Sequence, residues 1–264
     1  MDDEDAGLKR LWPRLLALAG GERVENPRHL EPLLQSFWRL YAPIAGGRAM
    51  PAYVVGQLGQ SLDGRIATPT GHSHYINGPE AILHLHRLRA LVDAVVVGVG
   101  TVIADDPRLT VRQVEGSNPA RVVIDPNGRL PCGAKLLGDD GAPVFVVQSG
   151  DRQPPSGAAA ITIEPRDGRL DPHDIVAALA ERGLRRLLIE GGSYTLSAFL
   201  AGGALDRLHL CVAPLLIGSG PIGVALPPID RLEGALRPAV SIHQLGEDVL
   251  FDCAFQRSDQ DLVG

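Results

Sequence analysis

The chain has 264 residues, of which 45% are hydrophobic, and can bury the core of one large α/β domain or of one domain with an appendage. Its formal net charge of −6 disfavours sequence-independent binding to nucleic acid, but it permits a local basic pocket for a phosphorylated metabolite. Because no apolar run reaches the roughly 18 residues of a transmembrane helix and the start is acidic, we expect a cytoplasmic protein without membrane segment or signal peptide.

Residues 1–48 are predicted to form a helical N-terminal extension, followed by the main domain at 49–264. Helical patterns cover residues 8–18 and 32–41 and are separated by glycine and proline. The extension also holds four aromatic residues, Trp12, Phe37, Trp38 and Tyr41. We interpret it as an arm that packs on its own body or on a second subunit, with a lid or partner-docking element as the alternative.

From Ala52 onwards, apolar runs alternate with helical patterns, which predicts a mixed, mostly parallel α/β sheet flanked by helices. The predicted strands are 53–58, 94–99, 121–125, 143–147, 161–163, 186–190 and 208–214. Segments 240–243 and 249–255 predict a C-terminal antiparallel hairpin. The three cysteines are too scattered for a disulfide framework or zinc site, so we expect Cys211 and Cys253 to be buried free thiols.

Three helices are predicted between these strands. The first begins at Asn77, an N-cap, with Pro79 in the first turn and Glu80 completing a capping box. Its buried face is predicted from helical spacing to consist of Ile82, Leu85, Leu88 and Val92. The other two helices are predicted at 171–183 and 194–200.

Polar, glycine-bearing loops follow three of the predicted strands. In Ser61-Leu-Asp-Gly64, the aspartate is either a turn-former or a ligand. Gly98-Val-Gly-Thr101 is followed by Arg108 and Arg112, which offer forked donors for phosphate unless they are solvated loop charges. Because the carboxyl ends of parallel strands meet at one edge of a sheet, these loops predict an enzyme.

The third loop, Glu190-Gly-Gly-Ser193, leads from a strand directly into a helix. Amide groups at a helix N-terminus favour phosphate or pyrophosphate, and glycine lets a ligand approach the backbone closely. The alternative is that the two glycines only turn a tight corner.

The histidines do not indicate a metal site. His84 and His86 are two residues apart on a predicted helix and therefore point to different sides. No His-Glu-x-x-His, Walker or Gly-x-Ser-x-Gly motif occurs, and we predict no metal.

Taken in order, these motifs resemble the reductase domain of the bifunctional riboflavin-biosynthesis deaminase/reductase. The resemblance spans about residues 52–256 and includes Ser61-Leu-Asp-Gly64, His86-Arg-Leu-Arg89, the block from Gly98 to Arg112, and Glu190-Gly-Gly. It implies a dihydrofolate-reductase-like fold, a homodimer and NADPH as cofactor. The implied reaction reduces the ribosyl group of a 5-amino-6-(5-phosphoribosylamino)uracil-type substrate to ribityl by hydride transfer.

The resemblance also implies roles for individual residues. The implied substrate contacts are Ser73, Arg89, Leu109, Arg112 and Glu190, with the two arginines on the phosphate. The implied cofactor contacts are Gly59, Tyr75, Thr101, Asp105, Gly192, Ser193, Tyr194, Thr195, Leu196, Ser197 and Ala198. Asp105 or Glu190, acting through water, is the candidate for proton transfer.

Three departures from the family pattern stand out. Gln57 replaces a common lysine and removes a positive charge from the pocket, and Asn77 replaces a usual serine or threonine. The zinc deaminase motif, His-x-Glu with Pro-Cys-x-x-Cys, is missing, and 48 residues are too few to supply that domain, so we expect a free-standing reductase.

Two alternatives stay open. Gln57 supports a reductase of the same fold that acts on a different pyrimidine or on a pterin. A non-catalytic nucleotide-binding or assembly protein would bind the cofactor without turnover, and the presence of Asp105 and Glu190 argues against it.

Overall fold

The computed structural model describes residues 2–74, 76–138 and 140–255, and for residues 2–6 and 48 it describes the backbone alone. Its α-helices are α1 (Asp2–Ala19), α2 (Pro32–Gly46), α3 (Pro79–Leu91), α4 (Val99–Asp105), α5 (Pro172–Ala180) and α6 (Ser193–Ala201). Its strands are β1 (Tyr53–Ser61), β2 (Ala94–Gly98), β3 (Ala120–Ile124), β4 (Val144–Gln148), β5 (Ala159–Thr162), β6 (Arg186–Ile189), β7 (Arg207–Ala213), β8 (Ala239–Leu245) and β9 (Asp248–Ala254). Within these ranges, no helix has both the length and the apolar character needed to cross a bilayer.

The nine strands of the described residues form one sheet in the order β5-β4-β3-β2-β6-β1-β7-β9-β8. Neighbours from β5 to β7 run parallel, whereas β9 is antiparallel to both β7 and β8. Strand β6 lies between β1 and β2, so that Leu188 is opposite both Val55 and Val95. The predicted mixed, mostly parallel sheet with a C-terminal antiparallel hairpin is confirmed.

Helices cover both faces of the sheet, which explains why its central strands are continuous apolar runs. Successive strand residues point to opposite faces. Val55 and Leu188 pack on one side with residues of α1 to α4, and Val54 and Leu187 pack on the other with residues of α5 and α6.

Helices α1 and α2 contribute to this core. Trp12, Phe37, Trp38 and Tyr41 are all buried, and the Tyr41 ring lies 4.8 Å from that of Phe37 and 6.2 Å from that of Trp12. The predicted helical segments 8–18 and 32–41 lie within α1 and α2. The N-terminal extension therefore packs on the sheet domain of the same chain. The domain division at residue 48 stays a prediction.

A run of buried polar groups connects α2 to the sheet. Tyr41 Oη lies 2.7 Å from His84 Nδ1, and His84 Nε2 lies 3.0 Å from His209 Nδ1. His209 Nε2 in turn lies 3.3 Å from Asp252, which Arg207 binds through two hydrogen bonds. Burial lowers the pKa of His84 well below its ordinary value because the charged form loses its hydration. These groups join helix and sheet without a charged histidine at position 84.

The start of α3 differs from the prediction. Its N-cap is Gly78, whose N–H donates to Asp248 at 2.8 Å, so Asn77 and Glu80 do not form the predicted capping box. Leu88 and Val92 are buried as predicted, but Ile82 is 41% exposed. The helix turns that part of its apolar face towards a cleft.

Cys211 and Cys253 are buried free thiols as predicted, and Cys132 is exposed.

Candidate active site

A cleft of about 550 Å³ opens where β2 and β6 end and β1 continues beyond them. These three strands are neighbours and parallel, so their carboxyl ends form one edge of the sheet. The walls are α3, α4, the loop after α4 and the segment between β1 and α3. This is the edge at which open α/β sheets bind ligands.

The cleft brings together eight of the site residues predicted from the sequence: Gly59, Ser73, Arg89, Thr101, Asp105, Leu109, Glu190 and Gly192. Arg112 lies just outside, on the exposed side of the loop after α4. Ser193 to Ala198 belong to α6 and do not line the cleft. Tyr75 falls outside the described residues.

Arg89 and Glu190 form a buried, bidentate ion pair at the centre of the cleft. The Arg89 Nε and Nη2 atoms donate to the two carboxylate oxygens at 2.8 and 2.7 Å, and Nη1 donates to Thr110 O at 3.2 Å. Burial lowers the pKa of Arg89, but the charge and hydrogen bonds of Glu190 outweigh this, so the pKa is raised overall. Arg89 is therefore engaged within the protein, which leaves it less available to a substrate phosphate than predicted.

Two exposed arginines lie near this pair. Arg112 Nη1 donates to the Thr110 hydroxyl at 2.7 Å. Partial burial and the charges of Arg89 and Arg108 lower the pKa of Arg112, because they disfavour a further positive charge there. Because Glu190 compensates Arg89, it is the guanidinium groups of Arg108 and Arg112 that give this end of the cleft a positive potential suited to an anion.

The glycine turn between β6 and α6 is shaped by α4. Gly191 has a φ of +94°, and a Cβ there would stand 2.5 Å from Thr101 Oγ1. The Thr101 hydroxyl accepts a hydrogen bond from Gly192 N at 3.0 Å. Gly100 lines the cleft, and a Cβ on it would enter open space. The turn thus forms a cradle of exposed backbone at the N-terminus of α6.

Most of the α6 side chains face the interior rather than the cleft. Leu196 is fully buried in the core, and Thr195 is buried against Gly98. The Ser197 hydroxyl accepts a hydrogen bond from Ala225 N at 2.9 Å. Tyr194, by contrast, is 74% exposed. The buried side chains support the helix, so any contact of theirs with a cofactor has to be made by the backbone.

Both substitutions relative to the family pattern lie in the cleft. Asn77 fills the space beside Gly59, where a Cβ would collide with its side-chain oxygen, and its Nδ2 donates to Cys211 O at 3.4 Å. Gln57 contacts the Cys211 thiol, whose pKa is raised to about 12 chiefly by burial. These two side chains therefore add no charge to the cleft.

The Ser61-Leu-Asp-Gly64 loop is a structural clamp. Asp63 accepts hydrogen bonds from Ser61 Oγ at 2.6 Å and from the amides of Ile217 and Gly218 at 3.0 and 2.6 Å. These bonds lower the pKa of Asp63 to about 2, with Ser61 as the largest cause. Asp63 therefore bonds a remote loop in addition to Ser61 of its own turn, and the ligand role stays a prediction.

The sequence interpretation missed the contribution of α3 to the cleft wall. Ala81, Ile82 and Leu85 line the cleft together with Arg89. Positions 82, 85 and 89 share one helix face, and this spacing could have shown that the apolar residues 82 and 85 lie on the same side as Arg89. Among the residues described, no group of three or more His, Cys, Asp or Glu side chains is placed to hold a metal ion.

The fold and the cleft together define the class of the protein: an α/β enzyme whose ligands bind where the parallel strands end. The RibD C-terminal domain matches residues 52–251, and the chain belongs to this family of reductase domains. The fold that the family resemblance implied, dihydrofolate-reductase-like with a terminal hairpin, agrees with the observed sheet.

Similar proteins include both short and long members of the family. The chain is 36% identical over 214 residues to the 2,5-diamino-6-ribosylamino-4(3H)-pyrimidinone 5′-phosphate reductase of Methanothermobacter thermautotrophicus, covering 77% of this chain and 98% of that protein. It is 33% identical over 205 residues to the riboflavin biosynthesis protein RibD of Aquifex aeolicus, covering 75% of this chain and 56% of that protein. The structure of Acinetobacter baumannii RibD superposes with a TM-score of 0.69 at 28% identity, covering 85% of this chain and 63% of that one. The chain thus spans little more than half of these RibD proteins.

Proposed function

We propose that the protein is an NADPH-dependent reductase that converts a phosphorylated ribosylaminopyrimidine to its ribityl product in riboflavin biosynthesis. The observation that carries this proposal is the cleft itself, in which the Arg89–Glu190 pair, Asp105 and the Gly191-Gly192 turn converge. A family match over residues 52–251 supports the same reaction class.

The residues present suit a nicotinamide dinucleotide. The cradle formed by Gly100, Gly191 and Gly192 leaves backbone open to a pyrophosphate at the N-terminus of α6, where amide groups favour negative charge. Thr101 holds this cradle in shape through the Gly192 amide. When bound, the cofactor supplies a hydride for C1′ of the open-chain sugar.

The chain's own residues orient the sugar and handle the proton. Reduction of the imine form adds a hydride to C1′ and a proton to the adjacent nitrogen. Asp105 lies exposed at the end of α4 and lines the cleft, which suits it to deliver that proton through water. Glu190 is held by Arg89 and suits a polar contact with the pyrimidine or ribosyl group. Orientation and exclusion of water supply the remaining acceleration.

Gln57 bears on the choice of pyrimidine. A lysine at this position only donates hydrogen bonds, whereas the Gln57 amide both donates and accepts. The diaminopyrimidinone carries an amino group where the uracil analogue carries a carbonyl, and an amide oxygen can accept from that amino group. Gln57 thus permits the diamino compound, and because the 36% identical relative is named as a reductase of that compound, we assign it as the preferred substrate.

The first test is NADPH oxidation by the purified protein with the diaminopyrimidinone ribosyl phosphate, the uracil analogue and dihydrofolate in parallel. Turnover of either phosphorylated pyrimidine supports the proposal. The ratio of their kcat/KM values tests whether the diamino compound is the preferred substrate. Activity on dihydrofolate alone would move the protein out of the riboflavin pathway. NADPH binding without oxidation of any of the three would favour the non-catalytic alternative.

Cofactor preference is proposed to involve Arg129. This arginine follows β3, its side chain is 56% exposed, and its Nε lies 4.0 Å from Asp125. An exposed guanidinium can meet the 2′-phosphate that distinguishes NADPH from NADH. We expect Arg129→Ala to lower the NADPH/NADH ratio of kcat/KM by about tenfold, the effect of losing one charged hydrogen bond. An unchanged ratio would show that other residues make this choice.

A homodimer is proposed through β8, one of the two edge strands of the described sheet. Val240 and Ile242 point to one side of this strand and are 49% and 65% exposed. Exposed apolar edge strands invite pairing with another chain. We expect a dimer in light scattering at micromolar concentration and a shift to monomer for Ile242→Asp. A monomeric wild-type protein would contradict this proposal.

The cytoplasmic location expected from the sequence remains a prediction.

A further inference from the structure

The segment 109–112 runs from Leu109, which lines the cleft, to Arg112 just outside it, and has an irregular backbone. Leu109 is only 2% exposed, lines the cleft and has a φ of +57°. This left-handed conformation is uncommon for a residue other than glycine and is kept only where the surroundings enforce it. Because the segment is not part of the sheet, its buried polar groups need other partners.

Two side chains of α3 provide such partners. Arg89 donates to Thr110 O at 3.2 Å, and His86 Nδ1 accepts a hydrogen bond from Arg112 N at 3.1 Å. His86 and Arg89 are three residues apart and therefore lie on the same helix face. Together they bind a carbonyl and the amide two residues further on, as a neighbouring strand would.

His86 can accept this hydrogen bond only while Nδ1 carries no proton. The residue is 1% exposed, and burial together with the charges of Arg89 and Arg112 lowers its pKa to about 4. At neutral pH the ring is therefore uncharged, with its single proton on Nε2.

We propose that His86 is a positioning residue for substrate binding. Through the Arg112 amide it sets the backbone of segment 109–112, and it thereby directs the Arg112 guanidinium and the Leu109 backbone towards the phosphorylated substrate. This inference rests on the proposed function. A histidine with a purely structural role would change stability without a specific effect on substrate affinity.

The test compares His86→Asn with His86→Leu. The Asn oxygen can take the place of Nδ1 as acceptor, whereas Leu fills a similar volume without an acceptor. We expect His86→Leu to raise the KM for the phosphorylated pyrimidine about tenfold, with the KM for NADPH and kcat changed less than about twofold. His86→Asn should restore the substrate KM to within about threefold of wild type. Leu91→Ala, a cavity variant in the same helix and away from the cleft, is the matched control for lost stability.

Equal increases in both KM values, or an Asn variant as impaired as the Leu variant, would overturn the proposal. A second measurement is independent of turnover: calorimetric binding of ribose 5-phosphate, which shares the sugar phosphate of the substrate. His86→Leu should weaken this binding about tenfold even if the wild-type protein reduces none of the pyrimidines tested. Unchanged binding would overturn the role of His86, whereas an inactive wild type with weakened binding in the variant would count only against the proposed reaction.

Discussion

Two carboxylates share the cleft but stand in different surroundings. Both oxygens of Glu190 accept hydrogen bonds from Arg89, and the side chains of this pair are 6% and 8% exposed. Asp105, at the end of α4, is exposed to solvent. A group that delivers a proton through water must be open to solvent, whereas Arg89 occupies both oxygens of Glu190. Single-residue geometry therefore favours Asp105 for the proton and Glu190 for recognition.

This assignment predicts different effects for two isosteric substitutions. Asp105→Asn should lower kcat about 100-fold and change the free energy of unfolding by no more than about 0.5 kcal/mol. Glu190→Gln, by contrast, should destabilise the fold by about 3 kcal/mol, because Arg89 is left buried without its counter-ion. NADPH oxidation and urea unfolding of both variants measure these quantities. Wild-type turnover in Asp105→Asn would remove the proton-transfer role, and wild-type stability in Glu190→Gln would show that water compensates Arg89.

At the scale of elements, the cofactor cradle depends on contact between two strand-to-helix corners. The corner from β2 to α4 supplies Thr101, and the corner from β6 to α6 supplies Gly191 and Gly192. Gly98 in the first corner leaves room for Thr195 of the second. The two corners are neighbours because β2 pairs directly with β6.

Gly191→Ala tests this contact. The added Cβ meets Thr101 in a backbone conformation that already disfavours side chains, so we expect a loss of about 2 to 3 kcal/mol in stability and at least tenfold weaker NADPH binding. Gly183→Ala is the matched control, because Gly183 has a similar φ of +80° but nothing within 4 Å of an added Cβ. Fluorescence titration with NADPH and urea unfolding compare the two. Equal effects would show that φ alone matters and that the Thr101 contact does not.

At the scale of the whole molecule, buried histidines connect stability to pH. Burial is the main cause that lowers the pKa values of His84, His86 and His243. The unfolded chain takes up protons at these groups below about pH 6.5, whereas the folded chain resists until lower pH. Their contribution is therefore complete above pH 6.5 and is lost as the pH falls. Burial raises the pKa values of Asp93 and Asp252, but this is outweighed by Arg186 at Asp93 and by His209 and Arg207 at Asp252. The two carboxylates therefore act only at still lower pH.

We expect the free energy of unfolding to decrease as the pH is lowered from about 6.5 towards 4. For His86 alone, with a pKa of about 4, the decrease amounts to about 3 kcal/mol across this window. Urea unfolding at several pH values measures the slope. His86→Asn should make the slope shallower. Leu91→Ala, which removes no titratable group, should lower the free energy of unfolding at every pH and leave the slope unchanged. A slope that is flat in the wild-type protein would contradict this account.

Local patterns in the sequence were sufficient for most elements and for many of the residues that line the cleft. The apolar runs around Val55, Val95 and Leu188 predicted strands because a strand covered on both faces has no polar side. The glycines at 191 and 192, directly before a helix, predicted a ligand cradle, because this signal is also contained in a few neighbouring residues. The capping of α3 could not be predicted, because the partner of Gly78 is Asp248, 170 residues further along the chain.

The sequence by itself determined the mostly parallel sheet, the reductase family and eight residues that meet in one cleft, since these depend on periodicity and on short motifs. Only the tertiary structure decided which partner each buried polar group binds. It pairs Arg89 with Glu190 across 101 residues, makes Asp63 a clamp on a distant loop, and uses His86 to hold the Arg112 amide. The physical reason is that a buried donor or acceptor must find a partner, and that partner is chosen by packing between segments remote in the chain.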